Sequence, residues 1–273
     1  PSSTGTTSSP TNVGEQLTKG YTVMLNYAVI KRENVLWSVN ATLRHLASEY
    51  RDVSRYLDKF NADNKSKNML RYYDGGSPSD LWAVRSAGID AITGREIFIR
   101  KDGSQTFTHS YDDEVVVGNS DPDFEGVIGT SFYYKGFSIS ANFRYRVGGQ
   151  IFLSTLYEKV ENISVDDAHY NQDKRALYDR WKQPGDNAKF KAISITDETP
   201  MSSRFVADNN VFSGESISMG YESQGKWLRT IGASSFYVRV YMNDIFRVST
   251  VKNERGIDYP FARSVSMSLG LRF

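Results

Sequence analysis

The chain contains no cysteine, which removes disulfide frameworks, thiolate metal sites and cysteine nucleophiles together. Histidine is almost as scarce. The three present, His45, His109 and His169, stand far apart without partners at ligand spacing, so neither a metal centre nor catalysis is expected from them. No phosphate-binding loop occurs, because Gly148-Gly149 ends an extended segment rather than opening a helix. No stretch approaches the ~20 consecutive apolar residues of a transmembrane helix. Surplus charge is lacking too: 33 Lys and Arg against 32 Asp and Glu leave a formal net charge of +1. With the basic residues scattered rather than striped, there is no electrostatic case for nucleic acid. Residues Pro1 to Pro10 (PSSTGTTSSP) lack the basic and apolar regions of an export signal and read as an exposed flexible loop. If the protein is exported, this is not expected to be its natural beginning.

What the chain does have is aromatics, 13% of residues, with 17 Tyr and 15 Phe. Tyrosine suits a membrane interface, its ring in the apolar layer and its hydroxyl in water. The clearest pattern is alternation with period two over ~10 residues, the length of a tilted strand crossing a bilayer. In the last segment Val265, Met267, Leu269, Leu271 and Phe273 share one face, and Ser264, Ser266, Ser268, Gly270 and Arg272 the other. Phe137, Ile139, Ala141, Phe143, Tyr145 and Val147 alternate with Ser138, Ser140, Asn142, Arg144 and Arg146. Tyr21 to Val29, Trp37 to Leu43, Ile217 to Tyr221 and Phe236 to Met242 repeat the scheme. The mean hydropathy of −0.48 does not oppose membrane strands, since a polar lumen face and polar loops dilute the lipid-facing residues.

A soluble β-sandwich also alternates, and the connections separate the two readings. Lys31 to Asn34 and Tyr134-Lys135-Gly136 are short, and Gln224 to Ser234 is moderate. Residues 51–123, 148–210 and 244–261 are long polar stretches. Short turns on one side and long loops on the other are the construction of outer-membrane barrels, whereas compact soluble domains rarely carry such loops. The expected fold is therefore all-β, a transmembrane antiparallel β-barrel. Seven spanning strands are predicted near 19–32, 35–47, 124–134, 136–147, 211–222, 234–243 and 262–273. Leu81 to Ile89 and Arg95 to Lys101 predict a further hairpin in the first long loop. With the last strand running toward the periplasm, the short turns are periplasmic and the long loops extracellular. Bacterial single-chain barrels have even strand numbers, so this chain is not expected to close alone.

Several segments carry a family resemblance. They are GIDAITGREIF (Gly88 to Phe98), Pro122 to Gly126 running into IGTSFYYKGFSISANFRYRVGG (Ile128 to Gly149), and DRWKQPGD (Asp179 to Asp186). SSRFV (Ser202 to Val206), VFSGESISMGY (Val211 to Tyr221), YVRVYMNDIF (Tyr237 to Phe246) and YPFARSVSMSLGLRF (Tyr259 to Phe273) follow. In this order and spacing the chain resembles the C-terminal portion of the SusC/RagA family, TonB-dependent outer-membrane transporters of Bacteroidetes. One departure is Asn243-Asp244-Ile245-Phe246, where the family more usually has Asn-Leu-Phe. The resemblance implies that residues 1–273 supply about the last seven strands of a 22-stranded plugged barrel. It also implies the remaining N-terminal part with its plug, the TonB complex acting on that plug, outer-membrane lipids, and a SusD-like surface lipoprotein as lid. The implied location is the outer membrane of a Gram-negative bacterium. The implied role is active import of a glycan or oligopeptide, with no enzyme activity.

Individual residues follow from this reading. Val265, Met267, Leu269, Leu271 and Phe273 resemble the terminal signature recognised in barrel assembly, through a strand edge and alternate side chains. Trp82, Tyr170 and Trp181, with Tyr72, Tyr73 and Tyr178 nearby in the loops, offer rings to stack on sugars or pack against peptide side chains; packing within the loops or on the lid is the alternative. Arg144 and Arg146 fall on the lumen face, facing substrate or plug. Trp37 and Trp227, at short turns, read as membrane-interface anchors. The acidic stretches Asp112-Asp113-Glu114 and Asp121 to Glu125 offer clustered oxygens for loop-bound Ca²⁺ but lack the spacing of a defined loop, and solvated loop is the reading preferred; no other cofactor is expected. Two other readings stay open: a non-transporting barrel such as an adhesin or assembly factor, and a soluble β-rich binding module.

Overall fold

The computed structural model describes residue 5 and residues 12–53, 55–164, 166, 169–252 and 263–273. The expected loop Pro1 to Pro10, Gly5 apart, lies outside the described residues, as do residues 253–262, which take in the end of the third long stretch and Tyr259 to Ala262. In chain order the strands are β1 (Glu15–Arg32), β2 (Val35–Arg51), β3 (Asp80–Ile89), β4 (Glu96–Ile99), β5 (Gln105–Thr106), β6 (Glu114–Asn119), β7 (Phe124–Tyr134), β8 (Phe137–Val147), β9 (Gln150–Phe152), β10 (Val206–Asp208), β11 (Val211–Ser223), β12 (Ser235–Ser249) and β13 (Val265–Arg272). They belong to two compact units. One comprises residues 1–19, 47–121 and 150–207, the other 20–46, 122–149 and 208–273.

The second unit is built on a seven-stranded sheet of order β1-β2-β7-β8-β11-β12-β13, the seven strands anticipated. Chain neighbours are sheet neighbours, so it is a meander whose two long insertions leave from the same end of the strands. Its turns explain its register. Lys135 and Gly136 connect the paired residues Tyr134 and Phe137 with φ of +45° and +91°. Positive φ at both central residues is what a two-residue hairpin turn of matching twist requires.

The two faces of this sheet differ completely. Following the pairing across the strands, Trp37, Phe132, Ile139, Met219, Val240 and Met267 form one row. All six are apolar, and all are 37–62% exposed. One residue over, on the opposite face, the row reads Ser38, Ser131, Ser140, Ser218, Tyr241 and Ser266. There the hydroxyls of Ser38 and Ser131, and of Ser140 and Ser218, are hydrogen-bonded at 2.7 Å. A wide apolar face left open opposite a polar one inverts the soluble arrangement and matches a barrel wall with lipid outside and a wet lumen inside. A bulge at Glu215, with Asp244 at φ +51° in β12, interrupts the ladder. Several strands outrun their expected ends, β2 to Arg51 and β12 to Ser249. Ladder pairing continues past the apolar alternation because it needs only backbone groups.

The first unit corrects the reading of residues 51–123 and 148–210 as polar loops holding one hairpin. The predicted hairpin is present as β3 and β4, within a four-stranded sheet of order β5-β4-β3-β6. Met69, Leu81 and Ala83 are buried with Val117, Phe152, Met201 and Val206 around them. Val160, Phe190 and Phe205 form a second buried cluster, against which Phe152 also packs. These residues are sparse and follow no period in any window, so only the gathering of distant segments makes them a core. Helix α1 (Tyr56–Asn64) is held by Asn61, whose side chain both donates to and accepts from the Tyr72 backbone.

Candidate functional site

The candidate site is a pocket in the first unit, of about 320 Å³, lined by Lys65, Tyr73, Trp82, Lys101, Tyr111, Asp112 and Glu114. Alternation on β3 creates its back wall: Leu81 and Ala83 enter the core beside Met69, so Trp82 takes the other face. The Trp82 amide donates to the Met69 carbonyl at 2.8 Å, fixing the segment that continues to Tyr73. The Tyr73 and Trp82 rings meet at 5.0 Å and 51°, tilted rather than stacked. On the opposite side, Ser110 caps the one-turn helix Tyr111–Asp113 by accepting from the Asp112 amide. The Asp113 carboxylate accepts from the Lys101 amide at 3.1 Å, which joins the β4–β5 connection to that turn.

Arg71 and Glu114 clamp the pocket floor. The guanidinium donates to both carboxylate oxygens, at 3.0 and 2.5 Å, with side chains 0% and 6% exposed. Arg71 also donates to the carbonyls of Lys65, Asn68 and Leu70, so one side chain shapes the loop on which Lys65 stands. Burial raises the hydroxyl pKa of Tyr73 and Tyr111, and the Glu114 charge adds to it, so both phenols keep their protons as donors. His109 stands between the rings of Phe98 and Tyr111, and burial lowers its pKa against the opposing pull of Glu96 and Asp113. Its Nε2 is buried without a hydrogen-bond partner among the described residues.

A second ionic knot lies elsewhere in this unit. Arg204 bridges Glu96 at 2.9 Å and Glu161 at 2.7 Å, with Ser202 donating to Glu96 and Thr199 to Glu161. Burial alone lowers the Arg204 pKa, but the Glu96 hydrogen bond and charge, with Glu161, outweigh it and hold it raised. Arg180 is buried alongside, donating to the carbonyls of Ala176, Val160, Glu161 and Lys191. These groups tie the insertions together.

Of the residues singled out in the sequence, Trp82 lines the pocket, in company with Tyr73. Trp181 instead packs within its own unit: its indole donates to the Ala91 carbonyl at 2.9 Å, and a Cβ on Gly94 would stand 2.6 Å from its ring. Tyr170 is exposed and lies against His169, ring centroids 4.0 Å apart. Arg144 and Arg146 belong to the other unit; Arg144 pairs with the bulge residue Glu215 at 3.3 Å on the face opposite the apolar row. Trp37 sits on the apolar face, donating to Thr130 at 3.0 Å, and Trp227 lies in the β11–β12 connection against Phe236. Val265, Met267, Leu269 and Leu271 are exposed together on β13, with Phe273 beyond it. His45 is held by the Asp123 carbonyl and the rings of Tyr21 and Phe124. Among the described residues no three acidic or histidine groups converge as metal ligands, and Asp113 and Glu114 point to separate partners. Lys65, Lys101 and Tyr111 were not anticipated; their only sequence signal was proximity to aromatic or acidic residues.

No family model matches the chain. Two curated proteins of Formosa agariphila, both described as TonB-dependent receptors, are similar to it. One is 22% identical over 201 residues, 71% of this chain and 19% of its own length. The other is 23% identical over 265 residues, 89% of this chain and 25% of its own length. The chain thus spans a fifth to a quarter of the curated relatives it matches. A structure of the RagAB peptide transporter superposes with TM-score 0.72 at 18% identity, over 93% of this chain and 28% of that one. The RagAB peptide importer in its closed-closed state also gives 0.72 at 18%, over 92% and 28%. The likeness establishes the fold, a stretch of antiparallel membrane-barrel wall with its insertions, and by sequence the chain is similar to TonB-dependent receptors.

Proposed function

We propose that this chain is part of a TonB-dependent importer in the outer membrane, taking up a glycan or oligopeptide beneath a SusD-like lipoprotein lid. The observation that carries this reading is the seven-stranded sheet with an open apolar row on one face and a serine row on the other. Such a sheet is unstable in water unless covered, and lipid covers it without further protein. The similarity to TonB-dependent receptors and to the RagAB fold supports the same reading. Energy would enter through a plug in the rest of the protein, and the residues described here bind and enclose rather than catalyse. The first unit supplies the binding surface, with Trp82, Tyr73 and Tyr111 as its rings. Arg144 faces the lumen, toward plug or passing substrate. Trp37 and Trp227 anchor the wall at the interface, and the row ending at Phe273 addresses it to barrel assembly. Deleting the gene, or removing TonB, should abolish uptake of the nutrient on which the strain depends. Unchanged uptake in the deletion strain overturns the proposal, and lost adhesion with intact uptake would point to a non-transporting barrel.

A further inference from the structure

We propose that the short-turn end of the seven-stranded sheet binds the anionic headgroups of inner-leaflet phospholipid through Lys135, Lys226 and Arg229. This goes beyond the importer reading above but rests on its membrane barrel, with the short turns at the periplasm. Position is the first ground. The Lys135 amide donates to the Asn34 carbonyl at 3.1 Å, and the Glu222 amide to the Gly136 carbonyl at 2.9 Å, so the three connections at this end form one continuous rim. On the apolar face the rim is aromatic. Tyr134 pairs with Phe137 and Phe137 with Tyr221, the last two rings 4.5 Å apart. Tyr134 and Phe137 are exposed, and Trp227, 55% exposed, stands edge-on to Phe236. Such a belt marks the depth at which hydrocarbon gives way to headgroups.

Charge is the second. The Lys135 ammonium lies over the Tyr134 ring, 5.3 Å from its centroid, so a cation is held at the lipid-facing edge of the belt. In the next connection the short helix Lys226–Thr230 is pinned by the fully buried Leu228, which leaves Lys226, Trp227 and Arg229 exposed. None of these three cations forms an ion pair among the described residues. The nearest strand carboxylate, Glu222, pairs with Tyr237 on the serine face, and Arg272 lies on that face too. Glu33 shares the first turn with Lys31 and Arg32. Even with a carboxylate at Phe273 counted, these six cations meet three anions. Acyl chains that cover the apolar face bring their headgroups to this rim, and long basic side chains carry their charge along apolar surface to the same level. An anionic phospholipid supplies both the chains and the counter-charge.

The test is native mass spectrometry of the complete detergent-purified protein, reading retained lipid with dioleoyl phosphatidylglycerol, dioleoyl phosphatidylcholine and lipid A as probes. Phosphatidylglycerol should be retained over phosphatidylcholine. A basic residue at an anionic lipid surface contributes about fivefold. Lys135→Gln/Lys226→Gln/Arg229→Gln should therefore lose about tenfold or more of that retention. Lys59→Gln/Lys159→Gln/Lys182→Gln, which removes as many exposed cations from the other unit, should behave as the parent. The single variants Lys135→Gln and Arg229→Gln, each severalfold weaker, carry the test if the triple variant does not assemble. Equal retention of the two phospholipids, glutamine variants of the rim that bind like the parent, or an equal loss in the control variant would overturn the assignment. So would a preference for lipid A that the same rim variants abolish. Uptake is scored separately. TonB-dependent uptake with no preference for phosphatidylglycerol leaves the importer reading standing and removes this one. Rim-dependent retention in a protein without TonB-dependent uptake does the reverse.

Discussion

Replacing Arg71 by Leu should open the first unit while leaving the barrel wall intact. Its guanidinium is 0% exposed and holds both oxygens of Glu114, itself 6% exposed, together with three backbone carbonyls. The substitution strands a buried carboxylate, and breaking a buried pair from one side costs roughly 3–5 kcal/mol. At about 1.4 kcal/mol per factor of ten, local opening becomes on the order of a hundred- to a few thousand-fold more frequent. Hydrogen exchange of the purified protein reads this directly. The amides of Trp82 and the β3–β6 ladder should lose protection by that factor, with β8 and β11 as internal controls. Arg71→Lys should recover little, because an ammonium cannot span two oxygens and three carbonyls. Arg71→Met/Glu114→Leu should recover part of the loss by removing the stranded charge, the carbonyls remaining unmet. Protection in Arg71→Leu within a few-fold of the parent would refute the view that this pair holds the pocket floor.

His109 predicts acid sensitivity of the same unit. Burial depresses its folded-state pKa, so the stability it permits is present above ~6.5, its unfolded value, and falls as the pH drops through the lower folded value. Protease resistance of residues 80–121 should decline between pH 7 and 5, and His109→Phe should flatten that decline. Gly94→Ala should destabilise the Trp181 contact, because its φ is +69° and the new Cβ would lie 2.6 Å from the indole. The backbone conformation alone costs about 1–3 kcal/mol, measurable as earlier cleavage within residues 179–192. Met219→Arg, on the open apolar face, should cost roughly 2–4 kcal/mol and lower the amount of folded barrel in the membrane. Ser218→Arg, one residue along and facing the other way, should assemble nearly as well as the parent. Equal assembly of the two would refute the assignment of faces.

The sheet was legible residue by residue because its rule is local. A strand with lipid on one side and a wet lumen on the other must alternate, and a slip of one residue reverses every side chain. Hence the run from Val265 to Leu271, and that from Phe137 to Val147, already told which residues share a face. The two-residue turn at Lys135-Gly136 was equally visible. The pocket was not. Trp82 stood out as a loop aromatic, but nothing near it in the chain pointed to Lys101 or Tyr111, or separated it from Trp181 as the one that lines a cavity. Arg71 and Glu114 are 43 residues apart and look like ordinary surface charges until the fold buries them together.

The amino-acid order by itself thus determined the membrane strands, their faces and their order, since each is set by neighbours in the chain. Tertiary structure alone decided that the long insertions are a folded unit with a core, and which of their rings and charges meet. Those contacts join segments whose separation leaves no periodic trace, and their buried charges are tolerable only once the partners have been brought together.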